Sequence, residues 1–288
     1  VAISFEFFPP KSDAAATHLY DAVRVLADLQ PSFVSVTCGA GGSAIDGTYA
    51  VVKKIRDEFC IHVAPHIAFS RQSKIRLDDA VRAYKIIGVE QVVAIRGDAT
   101  QDSLDLRPDD TYANTIDFIA DLSGRHQLKP VVAAYPDVHP LAKSAEQDLE
   151  HLRKKIAAGG THAISQFFFE ADTFLRFRDS VQRAGIPVAL TPGILPIHNL
   201  SQALKFATGC GAKIPTNFAS RFECWNDDAD ALFNEGVTHM TEVCDSLRRE
   251  GVTDFHFYTL NRSAMVNEIC SRLDLGRAHP TPLSTAAN

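Results

Sequence analysis

Val131-Val-Ala-Ala-Tyr135 is a short apolar run rich in β-formers. Ser144-Ala-Glu-Gln147 has the spacing of a helix capping box. Gly159-Gly160 closes the helix so opened, and His162-Ala-Ile-Ser-Gln-Phe-Phe168 begins the next apolar run. This is a strand, a helix and a second strand within forty residues, the length of one parallel crossover unit. Outward from it in both directions the same unit recurs. Strands are expected at Ile3–Phe8, Phe33–Thr37, His62–Ile67, Gln91–Arg96, Val131–Tyr135, His162–Phe168, Pro187–Thr191 and Asp254–Thr259, eight in all. Several are apolar without alternation, as parallel strands covered on both faces must be. Leu19, Ala22, Val23, Leu26 and Leu29 give a helical stripe, as do Phe174, Phe177, Val181 and Ala184. The long interval before the last strand is expected to hold helices at 199–208, 216–222 and 228–250. Eight βα units predict an α/β fold, a (β/α)8 TIM barrel with extra helices between strands seven and eight. An open doubly wound sheet is the competing architecture; the absence of a short, charged edge strand favours closure. Residues 1–275 read as a single catalytic barrel domain and 276–288 as a loose tail.

Composition excludes several classes. The 288 residues carry 29 Lys+Arg against 35 Asp+Glu, a net charge of −6, with 45% hydrophobic residues. Disorder is excluded by that apolar content, and a basic face for nucleic acid or anionic membrane by the charge. The six cysteines form no C-x-x-C pair, so no metal site is expected; they read as small buried apolar residues in a reducing cytoplasm. Val1–Phe8 is apolar but lacks the basic start and small-residue cleavage site of a signal peptide, and no apolar run is long enough to span a bilayer.

Polar residues collect where strands end: Glu6, Thr37, His66, Arg96-Gly97-Asp98, Tyr135 to His139, Gln166, Thr191 and Tyr258 to Arg262. In a barrel those ends share one rim, where active sites form. Glu6 stands among Phe5, Phe7 and Phe8, which predicts a desolvated carboxyl with a raised pKa, able to donate a proton near neutrality; a surface or ion-paired glutamate is the bland alternative. Arg96 and Asp98 also fit a local loop pair, His66 a core histidine, and Lys154-Lys155 a solvated face or a phosphate contact. Gly39-Ala-Gly41-Gly-Ser-Ala44 matches a dinucleotide fingerprint only formally, since Asp57 and Glu58 precede the third strand instead of following it. No lysine lies inside a strand to form a Schiff base.

Ser4-Phe-Glu-Phe-Phe-Pro-Pro-Lys11, Phe33-Val-Ser-Val-Thr37, Ala64-Pro-His66, Arg96-Gly-Asp98, Ala134-Tyr-Pro-Asp-Val-His-Pro140, Ile164-Ser-Gln-Phe-Phe-Phe169, Pro192-Gly-Ile-Leu-Pro196 and Asp254-Phe-His-Phe-Tyr-Thr-Leu-Asn-Arg262 together resemble the catalytic barrel of bacterial-type methylenetetrahydrofolate reductases. The resemblance runs in order from Ser4 to about Leu275. It implies a cytoplasmic flavoenzyme of one-carbon metabolism and methionine biosynthesis. Such an enzyme reduces 5,10-methylenetetrahydrofolate to 5-methyltetrahydrofolate by ping-pong through FAD, with NADH or NADPH as hydride donor. It implies Glu6 as the acid that protonates N10, and Asp98 as the carboxylate that stabilises the iminium cation. It implies FAD contacts from Thr37, His66, Arg96, Gly97, Asp98, Tyr112, Ala113, Tyr135, His139, Ala142, Asp148, His151, Lys154 and Lys155, with Thr37 at a shared nicotinamide and folate face. Gln166, Gln202, Phe206, Tyr258 and Arg262 match substrate-contacting positions. Cys38, His151 and Lys154 depart from relatives carrying Tyr, Asn and Arg; Lys for Arg loses a planar fork at the cofactor. The 99–111 loop is also longer than in those relatives. A homo-oligomer is implied, with no nucleic-acid or membrane partner. Two other functions stay open on the sequence: a flavin-independent reductase of the same substrate, and a non-catalytic folate-binding barrel.

Overall fold

The computed structural model describes residues 1–38, 44–70, 72–97, 110–225 and 228–276. Of the tail assigned to 276–288, residues 277–288 lie outside them, as does Asp98. One parallel sheet runs in the order β7-β6-β5-β4-β3-β2-β1-β9-β8. Its strands are β1 (Ala2–Phe7), β2 (Phe33–Val36), β3 (Val63–Ala68), β4 (Gln91–Ile95), β5 (Lys129–Ala134), β6 (His162–Ser165), β7 (Ala189–Thr191), β8 (Gly193–Ile194) and β9 (Asp254–Tyr258). The helices are α1 (Asp13–Ala27), α2 (Ala44–Phe59), α3 (Lys74–Ile86), α4 (Thr115–Gly124), α5 (Ala145–Ala157), α6 (Ala171–Arg183), α7 (Leu200–Cys210), α8 (Phe218–Glu223), α9 (Ala229–Arg249) and α10 (Ala264–Arg272). The barrel is therefore as expected, including three helices between its last two strand positions.

The expected seventh strand is two pieces. Proline has no N–H for a ladder, so Pro192 breaks the strand: β7 pairs with β6, while β8 pairs with β9 and closes the ring. Gly193 sits at this junction because nothing larger fits. A Cβ there would lie 2.2 Å from the Ser165 carbonyl oxygen and 2.5 Å from the Tyr258 ring. Gly193→Ala is expected to destabilise the fold by roughly 3 kcal/mol through overpacking against fixed backbone; a urea midpoint indistinguishable from the parent's would contradict this.

The sixth strand is also shorter than its pattern suggests. After Ser165 the chain leaves the sheet: Ser165 Oγ donates to the Gln166 carbonyl (2.9 Å), and Phe167 N donates to Gln166 Oε1 (3.0 Å). The following phenylalanines pack outward, Phe168 on Phe174 of α6 and Phe169 on Phe218 of α8.

Strand alternation divides two cores. Ile3, Phe5 and Phe7 of β1 join the large layer beneath the helices. Phe33, Ala64, Val93, Val131 and Ile164 fill the barrel, with Ile95 and Tyr258 packed on them. The capping box at α5 forms in modified shape. Ser144 Oγ accepts from Gln147 N (3.2 Å), while Gln147 Oε1 accepts from Lys143 N (2.6 Å), one residue before the cap.

The six cysteines are free thiols, as expected, but not mostly buried. Cys244 and Cys270 are; Cys60 and Cys224 are exposed because they terminate α2 and α8, and Cys38 and Cys210 are half-buried. Among the described residues no helix is long and apolar enough to cross a membrane.

Candidate active site

A cavity of about 330 Å³ opens at the C-terminal ends of the barrel strands. Its lining includes Glu6, His66, Tyr135, Gln166, Phe206 and Tyr258, which come from five strand ends and α7. Ile95, Ile164 and Leu195 make the rest of the wall largely apolar.

Glu6 lies between two imidazoles. Its Oε2 is 3.2 Å from His66 Nε2 and 3.9 Å from His256 Nε2. The Glu6 side chain is 21% exposed and His66 11%, while His256 is fully buried. His256 Nδ1 is held by Ser4 Oγ at 2.8 Å. His66 Nε2 approaches the carboxylate off the hydrogen-bonding direction and has no other described partner, leaving a buried polar atom unsatisfied in the cavity wall. The nearby Ser35 Oγ, in register with Glu6 across β1 and β2, is likewise unsatisfied.

The neighbouring phenylalanines do not set the Glu6 acidity, and its pKa is lowered where the sequence predicts it raised. Phe5 and Phe7 point to the opposite face of β1 and Phe8 is exposed, so none of them desolvates the carboxyl. Burial inside the barrel does push it up, but the imidazoles of His256 and His66 beside it outweigh this and hold it at about 2. Glu6 is an anion paired with imidazole in this structure.

A second group lies at the end of β5. Tyr135 and His139 meet edge to face at 4.5 Å, His139 N donates to Asp148 Oδ2 (2.9 Å), and Ala142 N donates to the His139 carbonyl (2.8 Å). Lys155 is only 5% exposed; its Nζ donates to the Ala133 carbonyl (2.5 Å), and burial, only partly offset by Asp148, lowers its pKa to about 8. Burial likewise raises Tyr135 to about 12 and lowers His139. The Lys154-Lys155 pair is thus split: Lys155 is buried with Leu152 and Asp148, while Lys154 and His151 are on the exposed face.

Other expected site residues stand apart. Arg96, Ala113, Gln202 and Arg262 are exposed, and Gly97 is half-buried. Thr37 caps β2 with its N–H on the Phe7 carbonyl (2.9 Å) and is not among the cavity's lining residues. Tyr112 turns away: its hydroxyl donates to Asp121 Oδ2 (2.5 Å), and its ring packs on Phe69 and Phe118. It lines a larger, open hollow of about 720 Å³ beside α3 and α4. There Asp78, Asp121 and His126 have ligand atoms close enough for a metal, but Arg125 already binds both carboxylates.

Sequence reading assigned no role to His256, Ser4, Thr259 or Cys210. His256 is two residues before Tyr258 and so shares its inward face, a period-two signal that was available. Thr259 Oγ1 donates to the Glu6 carbonyl (2.6 Å) across 253 residues of sequence, which no local pattern reveals.

The nearly closed parallel barrel, with a carboxylate, two imidazoles and an amide gathered at an apolar cavity on its strand ends, places the chain in the TIM-barrel class. Comparison narrows the class. The methylenetetrahydrofolate reductase family profile matches residues 1–274, and the chain belongs to that family of oxidoreductases. It is 40% identical over 273 residues to 5,10-methylenetetrahydrofolate reductase of Escherichia coli (strain K12), covering 95% of this chain and 90% of that one. It is 30% identical to methylenetetrahydrofolate reductase (NADH) 1 of Arabidopsis thaliana, over 90% of this chain and 46% of that one. Among solved structures, a Clostridium thermocellum protein that binds two copies of 5-methyl-5,6,7,8-tetrahydrofolic acid shares the fold, with a TM-score of 0.61 at 12% identity. The match covers 96% of this chain and 95% of that one.

Proposed function

We propose that this chain reduces 5,10-methylenetetrahydrofolate to 5-methyltetrahydrofolate, with a reduced nicotinamide as donor and FAD as the resident cofactor at the strand ends. The observation that carries this reading is the Glu6 carboxylate set between His66 and His256 on a cavity walled by Gln166, Phe206 and Tyr258, in a chain of this reductase family.

The residues present suit a flavin nucleotide. Lys155 is a buried cation with two donors beyond the one spent on Ala133, at the end of β5, where a diphosphate would neutralise it. His66 Nε2 is an unsatisfied donor or acceptor in the wall of a cavity otherwise suited to a flat ring. His139, Ala142, Asp148 and Tyr135 would hold the cofactor beside Lys155; the resemblance adds Thr37, Arg96, Gly97, Ala113, His151 and Lys154, whereas Tyr112 faces the other hollow. Bound there, the flavin supplies hydride transfer.

The chain's own work is proton placement and charge. Opening the bridged one-carbon ring needs a proton at N10 of the folate. Glu6 is ionised beside imidazole, so the proton that it delivers is drawn from the histidine side. His66 Nε2 is one 3.2 Å contact away, and a ligand that fills the cavity excludes water and favours the neutral acid. Asp98 would offset the positive iminium that results, since a carboxylate has the right sign. Gln166, Gln202, Phe206, Tyr258 and Arg262 would orient the two substrates, which use one pocket in turn, giving ping-pong turnover.

The purified protein is expected to be yellow. Anaerobic NADH should bleach the flavin absorbance, and methylenetetrahydrofolate should restore it. A colourless protein with full reductase activity would assign direct hydride transfer instead, and absence of NADH oxidation with or without folate would leave only a folate-binding barrel.

A further inference from the structure

The chain leaving β9 makes a turn that reaches back to the end of β1. Arg262 N donates to the Thr259 carbonyl (2.9 Å), and the two residues between, Leu260 and Asn261, have φ of +51° and +56°. They are the only consecutive pair at positive φ among the described residues. Asn tolerates that conformation, but a residue as bulky as Leu keeps it only where surrounding contacts impose it.

Those contacts converge on the backbone that carries Glu6. The last paired residues of the β1–β9 ladder are Glu6 and Tyr258, so the next rung falls at Phe8. The turned backbone does not supply it, and the Asn261 carboxamide does: Oδ1 accepts from Phe8 N (3.0 Å) and Nδ2 donates to the Phe8 carbonyl (2.9 Å). A carboxamide has the donor and acceptor of a peptide group, so it continues the ladder past the point where the main chain leaves it. Phe8 is the last residue of this strand end with an N–H to hold, since Pro9 and Pro10 have none. Two residues back, the Glu6 carbonyl accepts from Thr259 Oγ1 (2.6 Å) and Thr259 N (3.3 Å), and Thr259 Oγ1 accepts in turn from Asn261 N (3.1 Å). The same turn sets Leu260 in the cavity wall.

Glu6 has little latitude. Its Oε2 is 3.2 Å from one imidazole and 3.9 Å from the other. A displacement of the strand end by about 1 Å changes both contacts, and a misplacement of that size can cost about 10²-fold in rate. We propose that Asn261 is a positioning residue for Glu6, its carboxamide pinning the end of β1 so that the carboxylate is held between His66 and His256. The kinetic consequence rests on the flavin and folate reading given above; the placement of the carboxylate does not. The titratable groups facing Glu6 among the described residues are His66 on β3 and His256 and Tyr258 on β9. Asn261 is uncharged, so replacing it acts on the carboxyl through position alone.

Asn261→Gly keeps the positive φ and deletes both amide bonds. Stopped-flow reoxidation of the flavin by methylenetetrahydrofolate should be about 10- to 100-fold slower than in the parent, while NADH reduces the flavin near the parent rate. A second measurement needs no activity. In the full chain labelled with 13C-glutamate, the Glu6 carboxyl signal is assigned by its loss in Glu6→Gln. In the parent, whose carboxyl is held at about 2, it should stay ionised down to about pH 4; in Asn261→Gly its midpoint should move up towards the ordinary 4.5. Thr259→Val deletes the hydroxyl between the Glu6 carbonyl and Asn261 N; it should move both readouts the same way by less, and it decides the question where Asn261→Gly fails to fold. Equal slowing of both half-reactions, or a Glu6 signal that titrates as in the parent, would overturn the positioning role and leave the functional reading intact. A parent protein that holds no flavin would overturn the functional reading, and the carboxyl titration would still judge Asn261.

Discussion

Glu6→Gln is expected to leave NADH reduction of the flavin near the parent rate while slowing the folate half-reaction by about 10²–10⁴-fold, the usual contribution of a positioned acid. Gln has the same size and keeps a polar oxygen near His66, but it has no proton to give to N10. Stopped-flow absorbance in each half-reaction separates the two effects, and equal loss in both would remove Glu6 from the acid role. The same variant carries a stability signature. The folded carboxyl is held at about 2 against an ordinary 4.5, so it adds stability that is complete above pH 4.5 and is lost as pH falls from 4.5 towards 2. A shift of that size corresponds to about 3 kcal/mol. Glu6→Gln should therefore be less stable at neutral pH, with a flatter acid limb in its unfolding free energy.

The features legible in the sequence were those written in local periodicity. Apolar runs bounded by Pro and Gly placed eight strands, and Ser144 with Gln147 marked where α5 begins. Reading strand ends as one rim correctly brought Glu6, His66, Gln166 and Tyr258 to one cavity. Long-range pairing set the rest. Whether Glu6 is neutral or ionised depends on His66 and His256, respectively 60 and 250 residues away, and its sequence neighbours point to the other face. The break at Pro192 was visible as a residue, but its consequence, a strand shared between β6 and β9, belongs to barrel closure. Lys154 and Lys155 are adjacent and chemically identical; only the phase of α5 against the barrel decides that one is solvated and the other buried.

That buried cation gives the second large expected effect. Lys155→Met should stabilise the flavin-stripped protein at pH 7 while lowering its affinity for FAD. Burial lowers the amine from 10.5 to about 8. The unfolded chain therefore binds more protons between those values, and the parent's stability rises with pH across that window; below pH 8 the native state carries the full cost of an ionised, buried amine. The shift amounts to roughly 3 kcal/mol. Loss of the bond to the Ala133 carbonyl returns about 1 kcal/mol of it, so a net gain of about 2 kcal/mol is expected, together with loss of the rise between pH 8 and 10.5. Asp148 keeps the His139 N–H, which limits the cost of losing the nearby positive charge. Without the ammonium a diphosphate loses a charge-assisted bond worth about 1.5–3 kcal/mol, a weakening of roughly 10- to 150-fold. Urea midpoints across pH and a fluorescence titration with FAD measure both quantities. A variant less stable at pH 7 with unchanged FAD affinity would make Lys155 a structural cation. The opposite signs of the two expected changes are what mark a charge kept buried for a ligand, because a purely structural lysine at this depth would lose stability on replacement and leave cofactor binding untouched.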